Sequence, residues 1–303
     1  MSDPSISNAA APAPAAPILL HEALTAGGRR WRWVRKHPTL IIGLLLLLIV
    51  AGLSIAAPWI ATHNPITINP LQRLKPPSAQ HYFGTDAMGR DVFSRVVWGG
   101  RVSLVVAIVV ALVATLLGVV LGLLAGFVRW ADAIIMRIMD GMMAIPDILL
   151  AIALMAVIRA SLTTVIIAIA IPQVPRVVRL VRSLALTLRE QLYVEAAHAI
   201  GTRLPVILRR HVLPNMVTPL VVQATFIAAT AVLTEAVLSF LGVGVPAQVP
   251  SWGNMMADAR NYVAVAFYTI LYPGILLAIT VLAINLMGDG LRDALDPRLT
   301  NQR

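Results

Sequence analysis

The sequence predicts an all-α polytopic membrane protein with six transmembrane helices. Three observations carry that expectation. Of 303 residues, 58% are hydrophobic and only 13% are charged, too little polar surface to cover a soluble domain of this length. The apolar residues come in long uncharged runs, which a soluble core does not require. The basic residues gather in the short segments between those runs, as cytoplasmic loops facing anionic lipid do.

The net charge of +10 is almost all arginine. In a soluble chain it would point to nucleic acid. Its distribution between apolar runs points to the membrane instead, so nucleic acid is not expected as a partner. The absence of cysteine excludes disulfides, zinc–thiolate sites, iron–sulfur clusters and thiol nucleophiles.

Residues 1–37 read as a cytoplasmic tail. Residues 2–17 are rich in Ala, Pro and Ser and lack apolar periodicity, the composition of a disordered segment. Arg29, Arg30, Arg32, Arg35 and Lys36, interleaved with Trp31 and Trp33, form a basic segment suited to the membrane surface. The same residues serve as the positive flank of the first span.

A transmembrane domain is expected over residues 38–299. The first span covers about 40–59 and is too long for a signal-peptide core, so it reads as an uncleaved helix. A polar, proline-containing outer loop follows to residue 100. The second span, 102–128, lies uncharged between Arg101 and Arg129. Its Gly118, Gly122 and Gly126 form a small-residue face for close helix packing, within this chain or against a partner. The third span, 139–158, carries Asp140 and the pair Pro146-Asp147. A carboxylate there must face protein or water, which makes Asp147 a candidate for a transport pathway or a structural group near the interface.

The fourth span, 161–182, ends on Arg176, Arg179 and Arg182 at helical spacing, expected to snorkel out of the membrane. The fifth, 217–241, holds Glu235 near its far end. A polar loop with Pro246, Pro250 and Trp252 leads to the sixth, 265–287. With the N-terminus inside, the inner segments hold 17 of the 24 Lys and Arg residues and the outer ones 7. The asymmetry places both termini in the cytoplasm.

Residues 189–214 lie on that inner side. Leu192, Ala196 and Ile200 recur at i, i+4, i+8 on one helical face. Gly201 is a natural helix stop, and Pro205 suits the first turn of a second helix. Small Ala196, Ala197 and Ala199 leave a flat surface that can enter a groove. On patterning alone, this is an amphipathic cytoplasmic hairpin, equally suited to lying on the membrane.

The spacing adds a resemblance. Glu195-Ala196-Ala197, Gly201 and Leu213-Pro214 are similar to the EAA motif of ABC importer permeases, with His211 where an isoleucine is usual. Residues 83–95 with 99–104, residues 238–260 and residues 285–297 look like the C-type permease subunits of dipeptide and oligopeptide importers (DppC/OppC-like). The likeness covers about residues 40–299.

It implies a type I ABC importer permease fold (MetI-like) in the bacterial inner membrane. The subunit would form half of a pathway for di- or oligopeptides. Its implied partners are a homologous permease, two ABC ATPases, an extracytoplasmic binding protein and membrane lipid. ATP and Mg would be used by the ATPases, and Glu195, Ala196, Ala197, Gly201, Leu213 and Pro214 would form the docking segment.

In the outer loop, Asp86/Arg90 and Asp91/Arg95 stand four apart and would pair if that stretch is helical, bracing the loop against the second span. Otherwise they form a solvated charged face. No P-loop, His-Glu-x-x-His or nucleophile elbow is present in the sequence, so no enzyme activity and no cofactor or metal of its own are expected. The alternative reading is an ion-gradient-driven secondary transporter or channel, which should place coupling charges deep in its spans. Asp147 and Glu235 are the only candidates for that.

Overall fold

A computed structural model of the protein describes residues 37–157 and 161–295. The tail expected over 1–37 (His37 apart), the turn at Arg159 and the end of the chain beyond Leu295 lie outside them. The principal helices are α1 Pro38–Ile55, α2 Val92–Phe127, α3 Arg129–Met143, α4 Asp147–Val157, α5 Leu162–Arg189, α6 Leu192–Ala199, α7 Leu213–Phe240, α8 Trp252–Ala259 and α9 Tyr268–Leu295. Among the described residues, strand pairing is confined to one isolated bridge, Thr85 to Asp91.

The helices outrun the hydrophobic windows that announce them. α2 begins ten residues before the expected span, at Val92. α5 continues to Arg189, and α9 to Leu295. At about 1.5 Å per residue, α2 is about 54 Å long against a hydrocarbon core of about 30 Å. Hydropathy marks only the part that lipid touches; backbone hydrogen bonding continues past it.

α2 and α5 form the spine. A methyl group added at Gly118 would overlap Val177; at Gly122 it would meet Val181, and at Gly126 Ala185. The three glycines, spaced by four, therefore fit three residues of α5 spaced by four. This packing lies within the chain, so these glycines are not free for a partner. Both sets of numbers rise together, so α2 and α5 run parallel, and the chain must cross back between them.

The recrossing differs from the single third span expected over 139–158. α3 and α4 meet at a 93° bend. Pro146 supplies no amide hydrogen and disfavours helical geometry in the residue before it, which breaks the helix at residues 144–146. α4, with 11 residues, rises only about 16 Å, half the hydrocarbon thickness. α3 turns Trp130, Ile134 and Ile138 outward, an exposed apolar stripe with i+4 spacing. Among the described residues, five helices are long and apolar enough to cross a membrane, or six if the bent α3–α4 pair is counted as one broken span.

α7 is entered through a short turn, Leu204–Ile207, and a π-helical turn, Leu208–Val212, which run into it as one 37-residue helical stretch. α9 packs antiparallel to α1: Gly43 lies against the backbone of Ala283 and Met287, and Gly290 against Leu40. Leu44, Leu45 and Leu48 of α1 and Leu112, Leu116 and Val120 of α2 are exposed, as lipid-facing side chains are.

Candidate functional site

Arg189 at the end of α5 donates to the Gly126 carbonyl at 3.2 Å, which puts the segment that follows at the same end of the spine as Phe127. There α6 closes on Gly201. The Gly201 N–H bonds the His198 carbonyl and the Thr202 N–H the Ala197 carbonyl, both at 3.0 Å, a Schellman motif. It needs the left-handed backbone that Gly201 adopts, φ 78°. Arg203 then caps the Leu204–Ile207 turn with Pro205 in its first positions.

The two faces of α6 have opposite environments. Val194 and Ala197 are buried in the main core with Ile207 and Val212. Leu192 and Ile200 are each 82% exposed, with Ala196 and Glu195 exposed beside them. The stripe anticipated from i, i+4 spacing is therefore the outward face. The inner face, Val194 and Ala197, follows the three-residue spacing instead. Pro214, which has no N–H for the preceding turn, follows the π-helical turn, whose wider winding tolerates that loss. His211 stands with its ring 6.1 Å from that of Tyr193, so it sits between α6 and the start of α7.

Three ion pairs join α5 to the bent crossing. Arg182 holds Asp132 through Nε–Oδ1 at 2.5 Å and Nη2–Oδ2 at 2.7 Å. Arg179 reaches Asp140 at 2.6 Å and Arg176 reaches Asp147 at 2.6 Å. The arginines expected to snorkel are instead paired, because α3 and α4 bring three aspartates alongside them. Asp147 is thus half of a partly exposed pair at the bend. Asp140 and Asp147 were visible in the sequence; Asp132, and its spacing of eight and seven with them against Arg182, Arg179 and Arg176, was not recognised.

The opposite end of the spine holds the outer-loop acids and bases. Residues 84–91 form a tight loop with Gly84 and Gly89 in the left-handed region, not a helix. Asp86 still meets Arg90: its Oδ1 accepts from the Met88 and Arg90 amides, and its Oδ2 from Arg90 Nε at 2.6 Å and Arg95 Nη1 at 2.5 Å. Asp258 of α8, missed in the sequence, accepts from Arg90 Nη2 at 2.7 Å and from Arg95 Nη1 at 3.4 Å.

The expected Asp91/Arg95 pair is not made. Asp91 is the N-cap of α2, with its Oδ2 turned to the Ser94 amide at 2.8 Å, which frees Arg95 for Asp86. Nor is this a solvated face: Asp86, Arg90, Asp91 and Arg95 are all buried. Two acids and two bases, Asp86, Asp258, Arg90 and Arg95, offset one another.

α8 is anchored beside this cluster. Buried Trp252 donates to the Val96 carbonyl at 2.9 Å, and Asn254 bonds the carbonyls of Val245, Pro246 and Val249. Glu235 is wholly buried. Ser103 and Ser239 donate to its carboxyl at 3.2 and 2.8 Å, so it joins α7 to α2. An apolar cavity of about 910 Å³ opens near the start of α2, lined by Trp98, Arg101, Val102, Val105, Leu162 and Pro250 among others. Neither Asp147 nor Glu235 lines it.

A bundle of long apolar helices with a bent crossing and a helical hairpin at one end defines a polytopic membrane protein. Residues 118–301 match the family described as binding-protein-dependent transport system inner membrane component, and residues 25–77 match the N-terminal TM domain of oligopeptide transport permease C. The chain belongs to the family of binding-protein-dependent transport system inner membrane components, and it is a permease subunit of an ABC importer.

It is 52% identical over 272 residues to a probable peptide ABC transporter permease protein of Sinorhizobium fredii, covering 90% of this chain and 93% of that one. It is 43% identical over 280 residues to the dipeptide transport system permease protein DppC of Alkalihalophilus pseudofirmus, covering 92% of each. A glutathione transport system permease protein of Pectobacterium atrosepticum is 41% identical over 270 residues, 88% of this chain and 89% of that one.

Among solved structures, a chain of the MetNI methionine ABC transporter in an inward facing conformation superposes with a TM-score of 0.56 at 22% identity. That match covers 67% of this chain and 97% of that one, and it establishes the fold. The family sets aside the ion-driven alternative.

Proposed function

We propose that this subunit forms half of a di- or oligopeptide import pathway in a bacterial inner membrane, with both termini in the cytoplasm. A homologous permease completes the pathway, and an extracytoplasmic binding protein delivers peptide at the end that holds the Asp86 cluster. Two ATPases bind ATP and Mg below. One of them receives α6. The relatives named for peptide, dipeptide and glutathione transport support the substrate class. The excess of arginine on the hairpin side supports the orientation.

The observation that carries the docking role is the split of α6. Val194 and Ala197 are fixed in the core that also holds α2 and α5, while Leu192, Ala196 and Ile200 face outward. A segment rigidly joined to the spans and apolar on its free side transmits movement of whatever grips it. ATP binding then shifts the balance between two arrangements of the spans, and no chemistry is asked of this chain.

The test uses the natural lack of cysteine. Single cysteines at Leu192, Ala196 and Ile200 are paired with cysteines along the ATPase surface; Ala197, being buried, is unsuitable. Crosslinks whose yield changes with ATP are expected. No crosslink at any of the three positions would sink the docking role. For substrate, the reconstituted complex should hydrolyse ATP faster with a peptide-loaded binding protein. Stimulation only by an unrelated solute would overturn the peptide assignment.

A further inference from the structure

His63, His81 and Asp91 converge where the loop after α1 meets the N-terminus of α2. One ligand atom from each lies within 4.8 Å of the others. His81 Nδ1 is hydrogen-bonded to Asp91 Oδ1 at 2.8 Å, and His63 Nδ1 is 3.9 Å from the same oxygen. The two imidazole rings stand 4.6 Å apart, tilted by 31°. We infer that these three side chains form a binding site for a divalent transition-metal ion of the zinc class.

The distances suit such an ion. Metal–nitrogen and metal–oxygen bonds of about 2.0–2.2 Å in a tetrahedron set neighbouring donor atoms about 3.3–3.5 Å apart. The observed 2.8 and 3.9 Å to Asp91 Oδ1 bracket that value, and all three donor atoms lie within 4.8 Å of one another, so an ion replacing the proton shared by His81 and Asp91 requires the two imidazoles to close by about an ångström. Two imidazoles with one carboxylate suit zinc and its neighbours and disfavour magnesium or calcium.

The carboxylate is already oriented for the task. Asp91 Oδ2 accepts from the Ser94 amide, the Ser94 hydroxyl and Thr62 Oγ1 at 2.8, 2.7 and 3.3 Å. Those donors hold it so that Oδ1 faces the histidines. Such outer partners are what fixes a metal ligand's direction. Three protein ligands leave a fourth position, and the site opens into a cavity of about 340 Å³ lined also by Asn64, Thr67, Asn69, Gln72 and Gln80. Solvent can complete the coordination from there. Bound metal would tie the post-α1 loop, the residue 81 segment and the first turn of α2 together. This site is independent of the peptide reading.

The full-length protein, purified in detergent without a polyhistidine tag and treated with chelator, is titrated with zinc chloride by calorimetry. One zinc per chain is expected. His63→Ala should weaken it by at least about tenfold, and the double variant His63→Ala/His81→Gln should abolish it. His198→Ala and His211→Ala should leave it unchanged. Zinc should raise the melting temperature of the wild type and not that of His63→Ala, whose half-exposed side chain is not needed for folding. Cobalt should give the intense visible absorption of a four-coordinate ion. Absence of zinc binding, or binding that survives the double variant, would overturn the assignment.

Discussion

Arg182 grips Asp132 through two hydrogen bonds, Nε to Oδ1 and Nη2 to Oδ2, clamping α5 to the first turn of α3. With Arg179–Asp140 and Arg176–Asp147 it sets the register of the bent crossing against the spine. The partners are about one-quarter to somewhat over one-half exposed, so water screens the pairs. Arg182→Ala should cost no more than about 1 kcal/mol. Exchanging the charges, Arg182→Asp with Asp132→Arg, should recover most of that loss in thermal melts, as a double-mutant cycle measures directly.

Gly122 gives a larger and purely steric effect. A methyl group there would overlap Val181 and crowd the Val178 carbonyl, and Gly122→Ala should cost about 1–3 kcal/mol. Adding Val181→Ala should return part of it. Gly52→Ala, where a methyl meets nothing within 4 Å, should be neutral or slightly stabilising through helix propensity. Melting temperatures of the three variants decide the matter.

The outer cluster responds unequally to loss of its two acids. Asp86 is buried and accepts from both Arg90 and Arg95. Asp86→Asn therefore leaves two buried guanidinium groups short of compensation and should cost about 3–5 kcal/mol. Asp258 is 30% exposed, and water can replace much of what it gives, so Asp258→Asn should cost about 1 kcal/mol. Denaturation monitored by tryptophan fluorescence, with buried Trp252 nearby, would report the difference.

Gly201→Ala isolates the hairpin from the spans. No atom stands within 4 Å of the added methyl, so the change acts through φ alone. A non-glycine residue there should be strained by about 1–2 kcal/mol, less for Asn. The spanning helices should still fold. In the reconstituted importer, ATP hydrolysis should respond less to loaded binding protein for Gly201→Ala than for Gly201→Asn. Equal responses from all three proteins would show that this turn's geometry does not matter to coupling.

The spans were legible in the sequence because lipid imposes a one-dimensional rule: a run of uncharged residues long enough to cross. The third crossing was not, because its halves meet at a bend and α3 mixes charged with apolar residues. The EAA-like spacing located the hairpin, and Gly201 located its turn. Which face of α6 points outward was not readable. Leu192, Ala196 and Ile200 make as good an apolar stripe as Val194 and Ala197, and only the neighbours Ile207 and Val212 decide between them.

The charged residues divide the same way. Asp86 and Arg90 are four apart and were legible as partners, although a glycine turn rather than a helix brings them together. Arg95 with Asp258, Arg182 with Asp132, and His63 with His81 and Asp91 are pairings across elements, set by how helices and loops pack against one another. By itself, the sequence determined the membrane class, most crossings, the glycine face and the hairpin, since each depends on composition or local spacing. Tertiary structure alone decided which charges meet, which surfaces stay free and where the broken crossing bends, because those depend on distances between elements that no local spacing encodes.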